Sequence, residues 1–290
     1  MNGRSNRLHP SAYLGLAMIL CMELMLAMQS RSGIIVEIAR WTTPICWWGY
    51  ILLIDAVVFR LKGESLIRTR TREFLVQLPV SVLFWLLFEV YNLHLQNWRY
   101  IGLPENALIC WTGRTIAYAS IMPALLETAE LFETLGIFRR LRIAPLGVTN
   151  RKIYVSILVG FVFVVVPLLV SRNIARYLFA FVWMGFIFII DPVVYCSGGR
   201  AFLSDLQRGR LERIVSLFVG GYVCGFLWEF WNYWSPAKWI YTVPFTRDIH
   251  IFEMPLAGFL GFGPFAWENY AMFALIMAML GWGESAQPEG

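Results

Sequence analysis

Trp47-Trp48-Gly49-Tyr50-Ile51-Leu52-Leu53-Ile54-Asp55-Ala56-Val57-Val58 aligns without a gap on Trp183-Met184-Gly185-Phe186-Ile187-Phe188-Ile189-Ile190-Asp191-Pro192-Val193-Val194. Three further pairs follow in the same order. Glu89-x-x-Asn92 matches Glu229-x-x-Asn232, Trp98-x-Tyr100 matches Trp239-x-Tyr241, and Pro123-x-x-x-Glu127 matches Pro264-x-x-x-Glu268. The spacing between partners grows only from 136 to 140 to 141 residues, so two small insertions reconcile the whole set. Self-similarity at a fixed offset reports repeated architecture. Residues 1–145 and 146–290 are therefore expected to be two tandem units of one integrated membrane domain.

The composition says where such units reside. Of 290 residues, 58% are apolar and 15% charged, with a mean hydropathy of +0.60. Soluble domains carry about 25% charged residues, so a water-facing surface could not be covered. Soluble enzymes, nucleic-acid binders and disordered chains are disfavoured on these numbers. Apolar stretches long enough to cross ~30 Å of hydrocarbon fall near 12–29, 42–60, 74–93, 114–136, 153–171, 174–195, 213–234 and 254–282. The fold class expected is all-α: a polytopic membrane protein of about eight transmembrane helices, four per repeat. Four is even, so both repeats insert the same way, related by an axis near the membrane normal, with a site where they face each other. Met1 to Pro10 leads into the first apolar run with no small-residue cleavage site, which reads as a first span rather than a removed signal. With both termini inside, inner segments hold sixteen of the 24 basic residues, among them Arg4, Arg7, Arg68 and Arg70. The other eight, including Arg31, Arg40, Arg114, Lys238 and Arg247, fall outside. That bias predicts an N-in, C-in protein of a bacterial inner (cytoplasmic) membrane. The net charge of +5 thus reports topology rather than nucleic acid.

Polar residues within spans are costly and usually face a bundle interior or cavity. Asp55 and Asp191 fall beside basic loops and are expected to pair with arginine at the interface. Glu89, Glu229, Glu127 and Glu268 lie deeper, as functional groups or as interhelical hydrogen-bond partners. Glu229 and Asn232 are i and i+3 and share a helix face, as do Glu89 and Asn92. An asparagine there can orient the carboxyl, and low dielectric favours the protonated form of such a group, ready to donate. Pro123 and Gly261-Phe262-Gly263-Pro264 are expected to break the helices carrying Glu127 and Glu268, a pointer to an embedded site. The outer loop of the second half adds Lys238, Arg247, Asp248, His250 and Glu253, whereas Thr112 stands where Glu253 would be in the first. The second half is therefore the expected catalytic half.

Other chemistries lack their residues. The three histidines cannot build a histidine-box iron site, no Asp-rich pair for magnesium diphosphate occurs, and no phosphate loop is present. The five cysteines form no CxxC pair, so neither a zinc site nor a disulfide framework is expected. No metal and no cofactor is expected. Aromatic residues make up 16% of the chain, and Phe226, Trp228, Phe230, Trp231, Tyr233, Trp234, Trp239 and Tyr241 crowd one helix end. They read either as interfacial belt and core or as a pocket whose ring faces stabilise a cation. Acid donors beside aromatic walls suit protonation of an alkene to a carbocation, followed by ring closure or capture of water.

Gly225-Phe226-Leu227-Trp228-Glu229, then Tyr241, then Phe252-Glu253-Met254-Pro255-Leu256 and Pro264-Phe265-Ala266-Trp267, resembles the integral-membrane carotenoid hydratase family. The duplication and the Trp-x-Tyr…Pro element more remotely resemble the membrane lycopene cyclase domains, whose Pro-x-Glu-Glu motif is replaced here by Glu253-Met254-Pro255. The resemblance implies a bilayer-dissolved polyisoprenoid substrate and acid-initiated hydration or cyclisation of a terminal double bond, without a redox cofactor. Glu229, Glu268 and Glu253 are the candidate catalytic residues. Asn232, Trp239, Tyr241, Glu89, Asn92, Trp98, Tyr100 and Glu127 are the candidate substrate-binding residues. The competing expectation is a proton- or ion-coupled transporter with a midplane carboxylate site, since parallel repeats and embedded carboxylates also serve carriers. Oligomeric state is left open.

Overall fold

In a computed structural model of the chain, residues 8–28, 33–244 and 249–282 are described. Arg4, Arg7, Arg31, Arg247 and Asp248 lie outside them. The protein is mostly helical. The elements in order are α1 (Pro10–Ala27), α2 (Ile34–Ala39), α3 (Thr42–Lys62), α4 (Thr71–Leu95), β1 (Trp98–Ile101), α5 (Ala107–Leu135) and α6 (Asn150–Leu169). Then come α7 (Arg172–Ala175), α8 (Phe179–Cys196), α9 (Phe202–Gln207), α10 (Glu212–Trp234), β2 (Lys238–Tyr241), β3 (His250–Ile251) and β4 (Met254–Pro255). A 3₁₀ turn (Leu256–Gly261) leads into α11 (Phe262–Met279). Among the described residues six helices are long and apolar enough to cross a membrane: α1, α3, α4, α6, α8 and α10. α5 and α11 are as long, and they are the helices that carry Glu127 and Glu268.

The all-helical expectation needs one correction. β1 and β2 form an antiparallel ribbon between the two halves, with Trp98 opposite Tyr241 and Tyr100 opposite Trp239. Each Trp-x-Tyr element thus faces the other in reverse order. β3 and β4 make a second short hairpin, its turn closed by Phe252 at φ 57°. Four-residue strands joined across more than a hundred residues give no periodic signal in the sequence.

Corresponding helices meet corresponding partners. α1 packs on α3 as α6 packs on α8, α3 on α5 as α8 on α11, and α4 on α5 as α10 on α11. Helices in lipid gain no hydrophobic drive from one another and associate through small residues that bring backbones close. Gly15 faces Gly49, and a Cβ on Gly49 would stand 2.7 Å from the Gly15 carbonyl oxygen. Gly160 faces Gly185 in the same manner, its Cβ falling 2.6 Å from the Gly185 oxygen. α10 also packs against α5 and α3, so the halves share an interior.

Pro123 does not break its helix, contrary to expectation: α5 runs unbroken for 29 residues. Just before the proline the ladder is bridged by a side chain. Met122 N–H donates to Ser81 Oγ at 3.0 Å, and that hydroxyl donates to the Tyr118 carbonyl. The neighbouring hydroxyl thus satisfies both the N–H and the carbonyl of the rung it opens. At Gly261-Phe262-Gly263-Pro264 the expected interruption is found: the 3₁₀ turn ends at Gly261, α11 begins at Phe262, and Pro264 lies in its first turn, where a missing N–H costs nothing. At the helix ends away from the ribbon, Asp55 accepts from Ile67 N–H at 2.8 Å and pairs with Arg68 at 3.2 Å, as expected. Asp191 departs from that pattern. It caps the start of α9, accepting from Phe202 N–H (2.6 Å) and Leu203 N–H (3.0 Å), while Arg213 pairs with Asp205 at 3.5 Å.

Candidate active site

The ribbon organises two matched polar clusters. In each half a helical asparagine holds the strand: Asn92 Nδ2 donates to the Trp98 carbonyl (2.9 Å), and Asn232 Nδ2 to the Trp239 carbonyl (2.8 Å). Their amide oxygens accept in return from the Trp98 and Trp239 N–H groups at 3.2 and 3.0 Å. The asparagines therefore orient the Trp-x-Tyr strands rather than the carboxyls directly. One turn earlier stands the glutamate that each strand addresses. Tyr241 O–H donates to Glu229 Oε1 at 2.7 Å, and Trp239 Nε1 donates to the Tyr241 oxygen at 2.8 Å. Glu89 Oε1 receives Tyr100 O–H, Trp98 Nε1 at 3.2 Å and Trp85 Nε1 at 3.0 Å.

The two glutamates differ in their second oxygen. Glu89 Oε2 has the Arg114 guanidinium at 3.6 Å, and Arg114 Nε donates to Tyr118 Oη at 2.8 Å. Glu229 is fully buried, makes no ion pair among the described residues, and its Oε2 has no hydrogen-bond partner. Burial holds the Tyr241 phenol well above the usual tyrosine range, and the adjoining Glu229 raises it further. Tyr100 is raised for the same reason, burial first and then Tyr118 and Glu89. Both phenols are therefore hydrogen-bond donors and not phenolates.

Two aromatic cavities flank the clusters. The smaller is walled by Trp85, Trp98, Trp183, Trp228, Trp239 and Tyr241, and closed by Phe262 and Phe265. The larger lies between α3, α4, α5 and α10 and reaches the ribbon end of the bundle. Trp85, Trp228 and Trp239 line both. Two positions matched in the sequence place side chains of different size at these cavities. Ile121 and Ala124 line the large cavity, and their counterparts Phe262 and Phe265 fill the small one. The larger space is lined mainly by the first half, with Cys224, Trp228, Ala237, Lys238 and Trp239 contributed by the second.

The remaining expected site residues fall elsewhere. Glu268 is fully buried and accepts the Phe186 N–H of α8 at 3.0 Å, with its other oxygen unpartnered. Glu127 is fully buried among Asp55, Glu130 and Arg70, and neither oxygen has a hydrogen-bond partner. Neither lines either aromatic cavity. Glu253 pairs with Lys238, which does line the large one. Sequence reasoning missed Trp85, Arg114 and Tyr118. Their signal was the i, i+4 spacing of Trp85 to Glu89 and of Arg114 to Tyr118, which puts each pair on one helix face.

Because Asn232 ties helix to strand through two hydrogen bonds to the Trp239 backbone, Asn232→Ala is expected to lower stability by about 1–3 kcal/mol. Thermal unfolding in detergent checks this. An unchanged midpoint would mean that the ribbon is held without the asparagine. Among the described residues no group of three or more histidine, cysteine, aspartate or glutamate side chains is placed to hold a metal ion. No protein-family model, no curated protein and no solved structure matches the chain.

Proposed function

We propose that the protein is an enzyme of a bacterial inner membrane that protonates a terminal double bond of a carotenoid-like or other polyisoprenoid lipid, leading to hydration or ring closure. In this reading the chain makes eight spans, four per repeat, with both termini inside and the ribbon outside. Glu229 carries the proton and Tyr241 passes it on. The phenol O–H, which rests on Glu229 Oε1 at 2.7 Å, turns to the alkene carbon and donates there as the Glu229 proton moves to the phenol oxygen, so charge ends as a substrate carbocation and a Glu229 carboxylate. The indole faces of Trp85, Trp228 and Trp239 stabilise the cation. Ring closure followed by loss of a proton to Glu229, or capture of water with the oxonium proton returned to Glu229, then completes the turnover.

The observation that carries the reading is the juxtaposition of a buried carboxyl–phenol pair, without a counter-ion among the described residues, with a cavity walled by tryptophan. The aromatic walls suit an apolar occupant better than the hydrated path a coupled carrier needs. Expression in cells that accumulate lycopene tests it, with pigments read by chromatography and mass. A hydrated or cyclised product is expected. An unchanged pigment profile, with the protein shown folded in the membrane, would overturn the carotenoid form of the proposal.

A further inference from the structure

The larger cavity has a mouth that no hydrocarbon would require. Three cations from three separate elements line it: Arg40 before α3, Arg114 on α5 and Lys238 on β2. No aspartate or glutamate is among its lining residues. Their carboxylate partners stand behind them, Glu37 for Arg40 at 3.3 Å, Glu89 for Arg114 at 3.6 Å and Glu253 for Lys238. The Arg114 guanidinium is held flat against rings, 4.5 Å from the Trp111 centroid and 4.7 Å from that of Tyr100. Two donors at the same mouth are buried without a partner among the described residues, Arg40 Nε and Thr43 Oγ1. Beneath them the walls turn apolar, with Trp47, Ile121, Ala124, Leu125 and Trp228.

A deep apolar cleft with a few convergent polar groups is the usual form of a ligand site. Here every unpartnered polar group is a donor and every charge is positive. Arginine pairs with phosphate through charge-assisted hydrogen bonds, stronger than neutral ones. Three cations lining one cavity suit a head carrying more than one negative charge. We infer that the larger cavity binds a lipid whose single apolar chain ends in a phosphate, held by Arg40, Thr43, Arg114 and Lys238 with the chain directed toward Trp228. This goes beyond the acid chemistry proposed above and does not depend on it, because binding is read without turnover.

Five tryptophans line the cavity, so quenching of intrinsic fluorescence reports occupancy. The full-length protein in neutral detergent is titrated with geranylgeranyl phosphate, geranylgeraniol and 1-oleoyl lysophosphatidate. The phosphate is expected to bind at least tenfold more tightly than the alcohol. Arg114→Gln and, separately, Arg40→Gln are expected to weaken phosphate binding about tenfold while leaving alcohol binding unchanged. The Arg40 side chain is 28% exposed and lies on a different element, so its variant keeps the test open should Arg114→Gln fail to fold. Equal affinity for alcohol and phosphate, or no binding of either phosphate, would overturn the inference. Parity of the two phosphates would support a site for phosphate lipids in general, and preference for the prenyl form one for isoprenoid phosphates. Lycopene turnover without phosphate binding would leave the proposed chemistry standing and remove this site.

Discussion

Glu229→Gln is expected to leave the protein folded and to lower product formation in lycopene-accumulating cells by a hundredfold or more. A positioned acid contributes about 10²–10⁴-fold, and glutamine removes the proton while keeping the shape. Its amide oxygen still accepts the Tyr241 O–H now seen at 2.7 Å, so the ribbon contact survives. Tyr241→Phe should fall in step, because the phenol stands between Glu229 and the cavity it lines. Glu89→Gln is the informative control. Glu89 already faces Arg114 and gathers two indole N–H groups, a charge-compensated arrangement unlike that of Glu229. It should retain most turnover. Pigment chromatography decides between the two glutamates. Equal loss on replacing either one would place the acid outside the Glu229–Tyr241 pair.

Gly160→Leu and Gly49→Leu are each expected to destabilise the protein by about 3 kcal/mol, the upper range for overpacking a close contact. At Gly160 a side chain would meet the Gly185 oxygen at 2.6 Å and the Ile189 nitrogen at 2.9 Å. At Gly49 it would meet the Gly15 oxygen at 2.7 Å. Backbone atoms cannot rotate aside as a flexible side chain would, so the peripheral helix must move off its partner. Gly147, with nothing within 4 Å and no left-handed conformation, supplies the control for helix-independent effects. Thermal unfolding in detergent measures all three. Loss in only one half would show that the two crossings, similar in geometry, are not similar in energy.

Much of the frame is legible without coordinates. The apolar runs at 42–60, 74–93 and 213–234 become α3 (Thr42–Lys62), α4 (Thr71–Leu95) and α10 (Glu212–Trp234). They are legible because lipid leaves no partner for a backbone N–H except its own helix. The matched Glu-x-x-Asn and Trp-x-Tyr elements were likewise visible, and each pair does meet across a helix end. The break expected at Pro123 was not found, because Ser81, remote in sequence, bridges the ladder there. The arginine expected at Asp191 was replaced by the N–H groups of α9. Both outcomes depend on what another segment brings alongside.

The excess of apolar and aromatic residues, read by itself, determined that this chain is built of long apolar helices, and its internal matches determined which polar residues correspond. Hydrophobicity and spacing are properties of a segment, so a segment suffices to read them. Which tryptophans form walls, that Glu89 has a cation and Glu229 has none among the described residues, and that Ala124 lines the large cavity while Phe265 lines the small one were decided only by the tertiary structure. Each of those is a relation between side chains on different helices, set by how closely the backbones approach and by which face of α10 turns toward α5.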